Sequence, residues 1–410
     1  MTLAQNLKMN KISLFIIGTI FIGAFSLLNA QQGVNEISFG KGLLNYVAKD
    51  STFSVKFAPR FQSRFNTVWS HDGSEYGDAK HSFLVRRARL KFSGWAYSPK
   101  LKYKVEIGLS NKDLGGANSF TNNAPRQLLD AVIMWNFAPN WSLWAGQTKL
   151  PGNVERVVSS SSLQFIDRSI LNSKFNLDRD TGIQLRHKST WGSTIVTKEK
   201  FALSQGEGRN ITTGNLGGLQ YTARFELLPF GEFTKKGDYF ESDLQRESNP
   251  KLMVGYTYNL NNDAVKTRSG SGSYMTIPTG FYQTDITTAF VDLVFKYRGW
   301  SVLSEIAERS AESPIVTQAD GMATGDIVNT GQAVNAQIGY LFNNNVEVAG
   351  RFSSISYDNV VGKASPKQYT LGVSKYIVGH KLKVQADLTK SVLDDQDEEV
   401  MLRTGFEFHF

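Results

Sequence analysis

Hydrophobic and polar positions alternate along most of this chain. From Glu399 to Phe410, Val400, Leu402, Phe406, Phe408 and Phe410 share one register, while Met401, Arg403, Gly405, Glu407 and His409 share the other. Successive side chains of a β-strand point to opposite faces, so a period of two marks a strand with one apolar and one polar side. Such a strand suits a wall between lipid and water, and also a soluble sandwich. Recurrence along the chain favours the wall. The alternation predicts sixteen strands near residues 53–70, 82–96, 100–111, 127–137, 141–150, 179–189, 195–206, 218–228, 250–260, 286–297, 300–309, 333–342, 345–357, 367–377, 380–390 and 399–410. An even number of this size is what bacterial outer-membrane barrels use.

The connections carry the same message. Links after the second, fourth, sixth, tenth, twelfth and fourteenth strands are short, as at Ser98-Pro99, Arg298-Gly299 and Gly379. Those after odd-numbered strands are mostly long and polar, as at 71–81, 112–126, 151–178, 261–285 and 310–332. Short turns on one rim and long loops on the other describe a barrel with periplasmic turns and external loops. The link Pro229 to Asn249 breaks the rule, being long on the short-turn side. The expected fold is all-β, a transmembrane antiparallel β-barrel over 53–410 of about sixteen strands with long external loops.

The first residues add a location. Met9-Asn10-Lys11 begins a short basic region, Ile12 to Leu28 is almost uncharged and apolar, and Leu28-Asn29-Ala30 offers a small-residue cleavage site. Residues 1–30 are expected to be a secretory signal, with Met9 a possible start, and 31–52 an N-terminal periplasmic segment. Removing the two lysines of 1–30, Lys8 and Lys11, takes the net charge from +8 to +6. No later segment approaches the roughly 20 apolar residues of a spanning helix. Cysteine is absent, which excludes disulfides, thiol nucleophiles and thiolate metal sites. The expected home is the bacterial outer membrane, with its lipid and lipopolysaccharide as surroundings.

Charge then assigns the faces. Phe53, Val55, Phe57, Phe61, Phe65 and Trp69 occupy one side of the first strand, against Lys56, Arg60, Gln62, Arg64 and Asn66. In the second, Leu84, Ala88, Leu90 and Phe92 oppose Arg87, Arg89 and Lys91, with Arg86 out of step as a headgroup-level residue or a bulge. In the third, Leu101, Tyr103, Val105, Ile107 and Leu109 oppose Lys102, Lys104, Glu106 and Ser110. A lipid-facing Arg or Lys at mid-depth costs roughly 2–4 kcal/mol. Lys56, Arg60, Arg64, Arg87, Arg89, Lys91, Lys102 and Lys104 are therefore expected to line the lumen as one cationic wall, with few carboxylates to neutralise it locally. A low-dielectric wall of one sign concentrates counter-ions, so the favoured cargo is an anion. The alternative is a general porin whose arginines face acids across the channel in a transverse field.

Other chemistry is thin. The histidines (His71, His81, His187, His380 and His409) lack metal-ligand spacing, and Gly206-Glu207-Gly208 lacks the rest of a dinucleotide motif. No Ser/His/Asp set stands out for a barrel enzyme. No cofactor, catalytic residue or nucleic-acid partner is expected. The acidic run Asp394 to Glu399 is read as a solvated external loop, with cation bridging to lipopolysaccharide as the alternative. The seven tryptophans mostly suit an aromatic girdle.

The segment Asp130 to Gly182 is the most specific. It holds Gly146-Gln147-x-Lys149-x-Pro151, Glu155-Arg156, Ser159 to Ser162, Phe165-x-Asp167-Arg168 and Arg179-Asp180-x-Gly182. With Arg86-Arg87-Ala88-Arg89-Leu90, Leu228-Pro229-Phe230-Gly231-Glu232 and Gly237 to Leu244, it resembles the phosphate-selective porin O and P family. The resemblance runs in order over about 53–410 and absorbs the anomalous 229–249 link. It implies a trimeric outer-membrane channel that passes phosphate-like anions along an Arg/Lys ladder. It also implies a third loop folded into the lumen, with a constriction at Lys149, Arg156, Ser159 and Ser160. Leu150 and Gly152 depart from the acid and the aromatic common there. Lysine offers a point charge, and hydroxyls replace lost water without holding the ion too tightly.

Overall fold

The structure, a computed structural model, describes residues 39–212 and 214–410. The signal expected at 1–30 and the first part of the segment 31–52 lie outside the described residues. Sixteen strands form the wall: β1 (Arg60–Ser70), β2 (Lys80–Ala96), β3 (Ser98–Gly108), β4 (Leu128–Ala138), β5 (Trp141–Lys149) and β6 (Arg179–Trp191). Then come β7 (Ile195–Ser204), β8 (Gln220–Leu228), β9 (Lys251–Ala264), β10 (Thr284–Tyr297) and β11 (Trp300–Ala311). The last are β12 (Gly331–Leu341), β13 (Val346–Tyr357), β14 (Pro366–Val378), β15 (Leu382–Leu393) and β16 (Gln396–His409). Each is antiparallel to the next, and β16 closes on β1, with Glu399 opposite Ser70 and His409 opposite Arg60. Closure pairs the backbone of both terminal strands, which hydrocarbon demands.

Faces alternate as the pattern requires. Along β8, Gln220, Thr222, Arg224, Glu226 and Leu228 are buried inside, while Tyr221, Ala223 and Phe225 are exposed outside. The exterior is greasy throughout, with Tyr256, Val291, Ile306, Ile338, Leu371 and Phe406 all exposed. The interior is polar, and Thr257, Asn259, Thr288, Glu305, Asn335 and Ser353 are shut from solvent by what packs inside the barrel.

Four expectations change in detail. The strand expected at 53–70 is broken at Ala58-Pro59. Ser54–Phe57 pairs with Leu44–Val47 as an N-terminal hairpin and touches the end of β2, and β1 starts at Arg60. Proline has no N–H to offer a ladder. In β2 the register slips between Gln62↔Arg87 and Ser63↔Val85, so Arg86 is the extra residue of a bulge. The bulge turns Arg86 inward beside Arg87 and flips the parity of what precedes it. Leu84, placed by sequence on the lipid side, lies opposite Arg64, while Phe83 and Val85 face out. The acidic run is not a loop: only Asp394-Asp395 turn the chain, both with positive φ, and Gln396 onward is strand. Three of its carboxylates are engaged, Asp394 with the Ser365 N–H, Asp395 with Lys367, and Asp397 with Lys390 and Tyr76. Finally, the link 229–250 folds into the barrel mouth around a short 3-10 segment, Thr234–Tyr239, with Asp238, Glu241, Ser242 and Asp243 buried.

Candidate functional site

The third loop, 150–178, lies inside the barrel because its own sequence is amphipathic. Leu150, Leu171, Phe175 and Leu177 pack on Ala202, Phe290, Ala307, Ala333 and Ile355 of β7 and β10–β13. Val154, Val158 and Leu163 pack on Val196, Leu228, Met253, Val294 and Leu303 of β7–β11. Polar groups of that far wall bind the loop backbone. Glu305 accepts from the Glu155 N–H (2.6 Å), Asp387 from the Ile166 N–H (3.1 Å), and Ser353 Oγ from the Leu171 N–H (3.4 Å). Lys383 donates to the Leu163 carbonyl (2.8 Å), Arg309 to those of Lys174 and Phe175, and Arg224 to that of Gly152. Three lumen-facing glycines make room for successive loop residues. A Cβ at Gly339 would overlap Gln164, one at Gly372 would press on Phe165, and one at Gly405 would crowd Ile166. The far wall is thus sealed.

The link from β8 to β9 meets the same loop from the short-turn side. The Glu241 N–H donates to the Ser162 carbonyl (3.1 Å), and its carboxylate accepts from the Gln164 N–H (2.7 Å). Lys296 donates to the carbonyls of Gly237 and Ser242, holding the link against β10.

The opposite wall, β1–β5, meets the loop at two points. Ser160 Oγ accepts from Arg60 (2.8 Å). Asp167 takes three arginines at once: Arg86 (3.0 Å), Arg87 (3.1 Å) and Arg64. The expectation of few local carboxylates is corrected here. Arg60 pairs with Glu407 (2.6 Å), Arg89 with Glu106 and Asp113, and Lys104 with Glu106 (3.1 Å) and Asp130 (2.7 Å). Cross-strand register and the inward loop supply these acids, and neither can be read from face assignments one strand at a time. Lys56, Lys91 and Lys102 form no ion pair among the described residues; Lys56 and Lys102 line a groove at the short-turn mouth with Lys41. Although paired, this wall keeps spare donors: buried nitrogens of Arg60, Arg64 and Arg87 have no hydrogen-bond partner among the described residues.

Between this wall, continued by β6, and the loop lies a cavity of about 220 Å³. Six basic residues line it, Arg89, Lys91, Lys104, Lys149, Arg179 and Arg186, against two acids, Glu106 and Asp130. The four loop-region residues singled out by sequence divide. Lys149 borders the cavity, but its ammonium donates to the carbonyls of Arg156 (2.7 Å), Val157 (3.1 Å) and Val158 (3.0 Å), tying off the helix Val154–Val157. Arg156 turns to Asp178 (2.8 Å) and is not among the lining groups. Ser159 is exposed to the cavity and hydrogen-bonds Ser161 Oγ (2.9 Å), and Ser160 borders it while bound to Arg60. Gly152 is explained by packing, since a Cβ there would sit 2.8 Å from that of Leu177.

Sequence reasoning missed Arg179 and Arg186 as lining groups, although Arg179 lay in a quoted motif. Arg179 is clamped by Asp130 (3.1 and 3.2 Å) at the foot of the loop. Arg186 lies over the Trp144 ring at 3.7 Å, so Trp144 faces the lumen rather than the girdle. Beyond the loop, a second cavity of about 640 Å³ opens among the long loops, lined by Arg126, Lys174, Arg179, Arg209, Lys266, Arg268 and Lys363 against Asp178 and Glu207.

Comparison with known proteins agrees with the barrel fold. A family described as Phosphate-selective porin O and P matches residues 55–291, more than half of the chain. Among solved structures, an anion-selective porin from Comamonas acidovorans is similar at a TM-score of 0.55 and 8% identity, over 87% of this chain and 100% of that one. The outer membrane channel DcaP of Acinetobacter baumannii is similar at 0.52 and 14%, over 89% and 100%. The trimer form of OmpT from Vibrio cholerae is similar at 0.51 and 12%, over 88% and 100%. At such identities the likeness is one of fold. No curated protein sequence shows a significant match to the chain.

Proposed function

We propose a function for a chain that belongs to the phosphate-selective porin O and P family, a porin of the bacterial outer membrane: passive diffusion of small, phosphate-like anions along the basic near wall. The carrying observation is the cavity between β2–β6 and the third loop, where basic side chains outnumber acidic ones six to two. The route runs from the outer loops past Arg179, through a constriction bordered by Lys149, Ser159 and Ser160, and along Lys91 and Lys104 to Lys56 and Lys102. Arg60, Arg64, Arg87 and Arg89 set the field behind it, with unpartnered buried donors on the first three. Arg156 acts on the constriction indirectly, by holding Asp178. A narrow, low-dielectric passage with this excess of positive charge raises anion concentration and repels cations. Lys149 contributes its charge from a fixed position, because three carbonyls hold it. The assembly is taken as a homotrimer set in outer-membrane lipid and lipopolysaccharide, as one structural neighbour was solved in trimer form.

One observation favours a second reading, general anion diffusion without phosphate selectivity. Most near-wall guanidinium groups already hold carboxylates, which weakens the pull on any one oxyanion. Addition of phosphate during chloride conduction separates the two. Selectivity predicts block of chloride current at low phosphate, and an unblocked current supports general diffusion. A cation-selective reversal potential in a KCl gradient contradicts both.

A further inference from the structure

The external cavity differs from the membrane-level passage in how its cations are bound. Near-wall arginines hold carboxylates, whereas those of the outer cavity, Arg179 aside, hold none among the described residues. Arg209 donates to the Asp113 carbonyl, Lys266 to that of Glu207, Arg268 to that of Ser173, and Lys363 to the Asn329 amide oxygen. Arg126 has a buried Nε with no hydrogen-bond partner among the described residues. The two acids present are committed elsewhere, Asp178 to Arg156 and Arg179, and Glu207 to the N–H groups of Leu216 and Gly217. Six cations therefore face a space of about 640 Å³ against two carboxylates, and none of the six forms an ion pair among the described residues.

They fall into two groups. Burial first and the nearby Arg126 second push the Lys266 ammonium down to about 8, and Arg209 is lowered to about 10 by burial, with Arg179 and then Arg126 adding to it against the pull of Asp178. Lys174 is depressed by burial and by Arg268 and Lys363, which form the second group. Lys266 and Arg268 belong to the short strand Lys266–Arg268 and stand two residues apart, roughly 7 Å along it. Neutral hydrogen-bonding groups lie between and around them, Thr267, Ser271, Ser273 and Asn329.

Resting on the anion-porin reading, we propose that this vestibule is a capture site for an organic bis-anion of the sugar-bisphosphate class, separate from the membrane-level passage. One phosphate is held by Arg126, Arg209 and Lys266, the other by Lys174, Arg268 and Lys363, and the hydroxylated middle by the neutral groups. An orthophosphate ion is too small to bridge the two groups. The cavity volume is that of an ordinary small-molecule site.

The test is calorimetric titration of the folded full-length protein with fructose 1,6-bisphosphate and, separately, with orthophosphate at fixed ionic strength. The bisphosphate is expected to bind at least about tenfold tighter, a difference of about 1.4 kcal/mol. Arg126→Gln and Arg268→Gln, one from each group, should each erase most of that advantage while orthophosphate binding changes less than about twofold. Equal affinity of the two anions for the unaltered protein overturns the proposal without any variant, as does an advantage that survives both substitutions. Reversal potentials of the same preparation keep the two readings apart. Tight bisphosphate binding with cation selectivity sinks the porin reading alone, and anion selectivity without bisphosphate preference sinks the vestibule site alone.

Discussion

The two halves of the barrel interior carry similar side chains to different ends. On the far wall, Lys383, Arg224 and Arg309 are buried and each donates to a loop carbonyl, Arg224 also pairing with Glu226 and Asp292. On the near wall, Lys91 borders open space without an ion-pair partner among the described residues, and Arg60, Arg64 and Arg87 keep buried donors unused there. Inward-pointing charge alone therefore does not define a pathway. What decides is whether the third loop covers it, and that depends on the apolar residues and glycines of the far wall.

Removing the loop should break this contrast most strongly. Deletion of 153–176 uncovers β7–β15, and single-channel conductance should rise several-fold with a fall in anion preference, measured in planar bilayers. A paired substitution comes next. Lys91→Glu should lower the anion-to-cation permeability ratio about tenfold, taking roughly 1–2 kcal/mol for a partly screened charge reversal. Lys383→Met should leave that ratio nearly unchanged and instead strand the Leu163 carbonyl, costing about 1–3 kcal/mol in denaturant unfolding. Comparable shifts in permeability for both would erase the distinction between the walls.

Asp167→Asn sharpens the same point. It removes the carboxylate shared by Arg64, Arg86 and Arg87, so anion preference should increase by a modest factor even as the loop loosens. The smallest effect concerns pH. Lys266 in the outer loops is pushed down to about 8 by burial first and Arg126 second. A depressed lysine is charged below that value and neutral above it. Anion preference should accordingly fall slightly between pH 7 and 9, and Lys266→Arg should abolish that change.

Much of the wall was legible in the chain. Period-two alternation located sixteen strands, and the cost of basic groups in lipid turned Arg60, Arg87, Arg89 and Lys104 inward. Less local features were not. The Arg86 bulge depends on pairing with β1, the carboxylates beside the arginines come from β3, β16 and the inward loop, and the break at Ala58-Pro59 was hidden in an otherwise regular alternation. Gly339, Gly372 and Gly405 look like unremarkable strand glycines until Gln164, Phe165 and Ile166 are laid over them. The two-residue turn at Asp394-Asp395 was obscured by the acids that follow it into the strand.

Cysteine accessibility tests the off-centre passage most directly, because the chain contains no cysteine of its own. Lys91→Cys and Ser159→Cys should react readily with a small anionic methanethiosulfonate reagent and lose conductance on modification. Ser353→Cys, beneath the loop on the far wall, should stay unmodified in the folded barrel. Rapid modification at 353, or none at 91 and 159, would contradict a passage confined to the near wall.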